Sequence, residues 1–200
     1  MDNTLLLDAV RAGHLIGLAL GFGPALCADV LVAKSFFRPI RQRDVDLLKW
    51  LHLIVFGGLA LLWTTGLILL QIRTGFELAN FSPKLMTKVF VVILLTGNAM
   101  AIGIYALPRF DDHVGVQFGK IDPPTLINLT LIAGVSMSCW LSALALGAFR
   151  QLKPLSFEAL QAIFTPVFAV GLAGAVLVGL GAVLVARAES GREIRLGHAV

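Results

Sequence analysis

The sequence predicts an all-α integral membrane protein, a bundle of five transmembrane helices with the N-terminus outside and the C-terminus in the cytoplasm. Three observations predict this: the composition, the spacing of the apolar segments and the placement of Lys and Arg. Of the 200 residues, 58% are hydrophobic and only 14% are charged, whereas soluble proteins carry about 25% charged residues. Because a soluble domain of this size cannot bury so much apolar surface, we exclude a soluble enzyme, a disordered tail and a nucleic-acid binder.

Five segments have the roughly 20 mostly apolar residues that a transmembrane helix needs. The connections between them are short and polar, so successive helices should be antiparallel neighbours. Residues 1–200 therefore form a single transmembrane helical domain in this interpretation. The predicted helices span about residues 5–34, 46–72, 84–107, 123–149 and 157–187.

Lys and Arg are shared unevenly between the two sides of the predicted bundle. The connections near residues 34–49 and 109–120, together with the C-terminal tail, carry more of them than the connections near residues 73–88 and 150–153. Because segments rich in Lys and Arg stay in the cytoplasm, this pattern puts the N-terminus outside. We expect the membrane to be the bacterial cytoplasmic (inner) membrane.

Asp29 and His52 are titratable residues inside apolar segments, where charged groups are costly and often functional. Folding the chain at a hairpin centred between Lys34 and Lys49 brings Asp29 within about two residues of the level of His52, or ~3 Å of helix rise. The two side chains can then face one another in the cytoplasmic half. Two interpretations stay open: a structural buried hydrogen bond, and a catalytic proton relay or ion site.

His14 and Lys88 reach a common depth near the outer interface by the same folding argument, and Arg11 precedes His14 by three residues on nearly the same helix face. An imidazole can ligate a metal such as haem iron, and Arg or Lys can pair with haem propionates. This predicts a cofactor site in which His14 is the metal ligand and Arg11 and Lys88 hold carboxylates. The alternative is a pair of basic side chains extending to the interface beside a hydrogen-bonded histidine.

Three short stretches in the first half of the chain carry a family resemblance. The stretch from His14 to Gly17 (HLIG), and the stretches 63–67 (WTTGL) and 82–89 (SPKLMTKV), resemble HemJ-type membrane protoporphyrinogen oxidases. The stretches 63–67 and 82–89 are also similar to CopD-like copper-resistance membrane proteins. The resemblance implies that the helix-one histidine, here His14, and the helix-three lysine, here Lys88, serve haem b binding and activity, with oxidoreductase chemistry.

Small residues recur every fourth position on two predicted helices. They are Gly13, Gly17 and Gly21 on the first, and Gly171, Ala175 and Gly179 on the last. Stripes of this kind let helices approach closely. They serve either packing within the chain or a contact with a homodimer partner or a larger membrane complex, while the lipid bilayer is the general partner.

Three functions follow from these observations. The first is a haem- or porphyrin-associated membrane redox protein. The second is a small proton- or metal-coupled transporter or copper-handling protein using Asp29, His52 and Asn98, and the third is a non-catalytic membrane subunit. The sequence has no phosphate-binding loop, HExxH or GxSxG motif, which argues against nucleotide, metalloprotease and serine hydrolysis.

Overall fold

The structure is a computed structural model that describes residues 3–197. It has five helices long and apolar enough to cross a membrane, which confirms the predicted helical class. The third of these long helices is built from α3, a π turn and α4, which run on without a break. The bounds are α1 Asn3–Lys34, α2 Gln42–Thr74, α3 Pro83–Ala101, the π turn Ile102–Ala106, α4 Leu107–Asp112, α5 Pro123–Ala148 and α6 Phe157–Gly197.

Residues just outside α2 determine where the helix begins and ends. The Arg41 backbone N–H donates to the Asp44 carboxylate at 3.1 Å, and the Arg38 guanidinium donates two hydrogen bonds to the same carboxylate at 2.6 and 3.0 Å. The first contact satisfies the N–H of the N-cap residue and the other two hold the carboxylate in place, so α2 begins at Gln42 rather than near residue 46. At the other end Gly75 adopts a left-handed conformation (φ 61°) that closes the helix.

Glycines let α1 and α2 pack with their backbones nearly in contact. A Cβ at Gly17 would lie 3.0 Å from the Gly58 carbonyl oxygen, and one at Gly58 would lie 2.6 Å from the Gly21 nitrogen. On the far side, Gly171 fits against Gly134 and Gly179 fits against Thr130, which brings α6 onto α5. Both small-residue stripes therefore make contacts within the chain, and association with another chain stays a prediction.

One end of the bundle is closed by two paired connections, residues 35–41 and 113–122, which we call the clasp. The Ile40 N–H donates to the Val116 carbonyl at 3.0 Å, and the Gly115 N–H donates back to the Ile40 carbonyl at 2.8 Å. A Cβ at Gly119 would lie 2.0 Å from the Ala182 carbonyl oxygen, so only glycine lets α6 dock here. The clasp joins the end of α1 to the end of α4 and packs against Ala182 of α6. It lies at the end of the bundle where α2 and α5 begin.

Candidate functional site

A cavity of about 430 Å³ lies between α1, α2, α5, α6 and the π turn, next to the clasp. Its walls are almost entirely aliphatic and aromatic side chains. The polar side chains that line it are Asp29 from α1, His52 from α2, and Thr130 and Ser136 from α5. A largely apolar cavity of this size with a few polar groups is the usual form of a small-molecule site.

Asp29 contributes a carboxylate without a protein partner. Its side chain is half-buried, and within residues 3–197 it makes no hydrogen bond or ion pair. Small neighbours on the same face, Ala25, Ala28 and Ala33, leave space in front of it. An unpaired carboxyl beside an apolar cavity can accept a proton from, or donate one to, a molecule bound there.

His52 is held at the cavity wall by the π turn. A Cβ at Gly103 would lie 3.2 Å from the His52 Nε2, so glycine at this position makes room for the imidazole. The ring also contacts the Phe56 ring edge-on, with centroids 5.7 Å apart. His52 and Asp29 line the same cavity, but the structure shows no hydrogen bond between them. Both side chains can therefore contact a molecule in the cavity, but they are not bonded to each other.

The π turn that shapes this wall has a local cause in Pro108. Proline lacks a backbone N–H, and its ring conflicts with the carbonyl four residues earlier, at Ile104. The helix responds by widening, and the Leu107 N–H donates to the Ile102 carbonyl, five residues back. Wide turns of this kind inside α-helices are frequent at functional sites. Pro108 inside an apolar run was the available sequence signal for this distortion.

Three stacked aromatic rings form the floor of the cavity at the clasp. Phe118 stacks on Phe36 with centroids 5.3 Å apart and on Phe110 with centroids 6.1 Å apart. All three rings line the cavity. Sequence reasoning did not identify them, because they come from three separate segments whose meeting depends on the clasp.

His14 lies in the other half of the bundle with a defined hydrogen bond. Its Nδ1 is 2.9 Å from the Thr65 hydroxyl oxygen, and that hydroxyl donates its hydrogen to the Leu61 carbonyl at 2.6 Å. Because the hydroxyl hydrogen is used, Nδ1–H of the imidazole is the donor to Thr65. The Nε2 atom of a neutral His14 then keeps a free lone pair.

The charges of Lys88 and Arg73 both act on the His14 imidazole. Arg11, expected to join them, instead forms an ion pair with Asp8 at 3.0 Å on the exposed side of α1. Lys88 precedes Ile102, where the third helix begins to line the cavity, by 14 residues, or about 21 Å. The structure therefore does not bring Lys88 to Asp29 and His52.

A haem on His14 does not match the cavity. Along α1 the first residue that lines the cavity is Ala25, about 16 Å beyond His14. The cavity is lined by His52, whereas His14 offers one imidazole nitrogen outside it. No group of three or more His, Cys, Asp or Glu side chains suited to a metal occurs among the described residues. Haem b on His14 stays a prediction.

Asn98, assigned to a possible transport site, has a structural partner. It is buried on α3 and its amide donates to the Ile132 carbonyl of α5 at 3.2 Å. This hydrogen bond ties two helices together. Asn98 does not line the cavity that contains Asp29 and His52.

Comparison with known proteins gives no match: no family model, no curated protein and no solved structure is similar to this chain. The resemblance to HemJ-type and CopD-like membrane proteins stays a prediction. The geometry of the cavity is thus the main basis on which a function can be proposed.

Proposed function

We propose that the protein is a multi-pass membrane protein, inserted with its clasp toward the cytoplasm, that binds an apolar macrocycle of the porphyrin class and takes part in its oxidation. The observation that carries this proposal is the apolar cavity of about 430 Å³ lined by an unpaired carboxyl, Asp29, and an imidazole, His52. The aliphatic walls and the aromatic floor suit a flat, apolar ring system.

Asp29 and His52 supply the proton chemistry in this proposal. Oxidation of a porphyrinogen releases protons together with electrons, and the protons need acceptors next to the ring. Asp29 has no hydrogen-bond or ion-pair partner among the described residues, so its carboxylate is free to serve as a base, with His52 as the second proton carrier across the cavity. Oxidation of a porphyrinogen to a porphyrin removes six electrons and six protons in all, so the proposal requires an external oxidant, for which a quinone dissolved in the membrane is the chemical class.

The porphyrin site proposed here differs from the one expected from the sequence, which consisted of His14, Arg11 and Lys88. The substrate lies between Asp29 and His52, and neither His14 nor Lys88 contacts it. A proton-coupled transporter would use the same two cavity residues, but Asn98, its third residue, is engaged with the Ile132 carbonyl. A non-catalytic subunit does not account for an unpaired carboxyl and an imidazole that line one apolar cavity.

Binding of protoporphyrin IX to the protein, purified from membranes in mild detergent, tests the cavity. Ala28 lines the cavity, whereas Ala19 on the same helix is exposed and does not. We expect Ala28→Leu to weaken binding about tenfold or more, since losing 1.4 kcal/mol corresponds to a factor of ten, and Ala19→Leu to leave it unchanged. Porphyrin fluorescence during titration measures both.

Oxidation of protoporphyrinogen by membranes that contain each variant tests the proton carriers. Asp29→Asn and His52→Gln should each slow the reaction by about 100-fold, the usual range for losing a general acid or base. Wild-type rates in Asp29→Asn would contradict the proposal. A Soret band in the purified protein that disappears in His14→Ala would instead place a haem at His14 and move the function to that end of the bundle.

A further inference from the structure

Three basic side chains cluster at the end of the bundle opposite the clasp. Arg73 lies in the last turn of α2, and Lys84 and Lys88 lie one turn apart at the start of α3. Lys84 and Lys88 are four residues apart and share a helix face, and Arg73 ends the helix that leads into the connection before them. We call Arg73, Lys84 and Lys88 the basic cluster.

The basic cluster has no acidic partner among residues 3–197. The ion pairs of the described chain join other residues: Arg11 to Asp8, Arg38 to Asp44, Lys49 to Asp111, Arg109 to Asp112 and His113 to Asp122. Lys84 donates to the Phe149 carbonyl at 2.6 Å, and half-buried Lys88 makes no hydrogen bond in the described chain. Three cations at one end of the bundle that make no ion pair among the described residues, one of them half-buried, favour the binding of an anion.

We infer that the basic cluster binds a phosphate oxyanion, and that its source is the headgroup of an anionic phospholipid. The cluster lies at the ends of two apolar helices, at the level where headgroup phosphates meet a bilayer. A guanidinium and two ammonium groups offer the donors that a phosphodiester accepts. The inference rests on the proposed insertion into a membrane, but not on the porphyrin cavity at the other end.

Thermal unfolding of the delipidated protein in detergent tests this inference. Phosphatidylglycerol should raise the unfolding midpoint of the wild-type protein by about 2–4 °C, the size of effect expected for one additional contact in a chain of this length. Phosphatidylcholine and inorganic phosphate should not. The shift should disappear in Lys88→Gln and persist in Lys88→Arg, which keeps the charge.

Lys153→Gln is the matched control, because Lys153 is exposed at the same end of the bundle and makes no ion pair in the described chain. It should keep the full shift. An equal shift in Lys88→Gln and in the wild-type protein would overturn the site, and a shift produced by inorganic phosphate would overturn the lipid as its source. Recovery of the protein in the soluble rather than the membrane fraction would overturn membrane insertion, and the lipid site with it.

Discussion

Single glycines on α1 decide how closely the first helix approaches the rest of the bundle. Gly21 faces Trp140, a fully buried indole on α5, and a Cβ at position 21 would lie 2.0 Å from its ring. Gly57, inside α2, has open space at its Cβ position. Both positions lie within long helices, but a side chain at position 21 would meet the Trp140 ring and one at position 57 would not.

This difference predicts opposite effects of the same substitution. Gly21→Ala should destabilise the protein by about 1–3 kcal/mol, because the added methyl group overpacks the core against Trp140. Gly57→Ala should be neutral or stabilise it by up to about 1 kcal/mol, because alanine is the better helix former. Unfolding in a graded series of denaturing detergent measures both. Equal effects at the two positions would contradict the packing seen here.

At the same scale, the sequence allowed the depths of the titratable residues to be predicted, but not their contacts. Folding the chain at its hairpins put Asp29 near His52 and His14 near Lys88, and the structure places both sets in common regions. Helix rise is regular, so depth follows from counting residues. Arg11 pairs with Asp8 instead, because rotation about side-chain bonds is not determined by spacing along the helix.

At the scale of elements, the beginning of α5 depends on one exposed carboxylate. Asp122 is the N-cap residue, and its side chain accepts a hydrogen bond from the Thr125 backbone N–H at 3.1 Å. This hydrogen bond, assisted by the Thr125 hydroxyl and by nearby His113, holds the pKa of Asp122 below its usual range. The start of α5 belongs to the clasp, so the cap helps to keep that end closed.

A lowered pKa in the folded state gives a defined pH dependence. The stabilisation from Asp122 is fully present above the ordinary aspartate pKa of about 3.9 and is lost as the pH falls through the lower, folded-state value. Asp122→Asn keeps a capping oxygen but cannot be protonated. Between pH 5 and pH 2 the unfolding midpoint of the wild-type protein should therefore fall further than that of Asp122→Asn. Parallel curves for the two proteins would exclude this role for the carboxylate.

The apolar helices follow from composition, whereas the cavity between them also depends on tertiary contacts. Runs of about 20 apolar residues predict helices without knowledge of neighbours. The π turn has its local cause in Pro108, but the ring stack of Phe36, Phe110 and Phe118 arises only where segments distant in sequence meet. The cavity depends on both features, and for that reason sequence reasoning found Asp29 and His52 without finding the space between them.

At the scale of the whole molecule, the proposed insertion of all five long helices would put the two termini on opposite sides of a membrane, because five is an odd number. The clasp connections then share a side with the end of α6, and the basic cluster shares a side with the start of α1. Lys120 is exposed in the clasp, and Lys153 is exposed in the connection before α6 at the opposite end. These two positions report the orientation of the entire bundle.

The excess of Lys and Arg near the clasp predicts that the clasp faces the cytoplasm. In a chain whose own cysteines, Cys27 and Cys139, are replaced by alanine, a single cysteine is introduced by Lys120→Cys or by Lys153→Cys. A membrane-impermeant thiol reagent should label Lys153→Cys in intact cells and Lys120→Cys only after the cells are opened. The reverse pattern would invert the bundle and place the porphyrin cavity in the outer half of the membrane, and labelling of both in intact cells would show that the helices do not cross it. The first two outcomes determine in which half of the membrane Asp29 and His52 lie, and the third excludes membrane insertion as proposed.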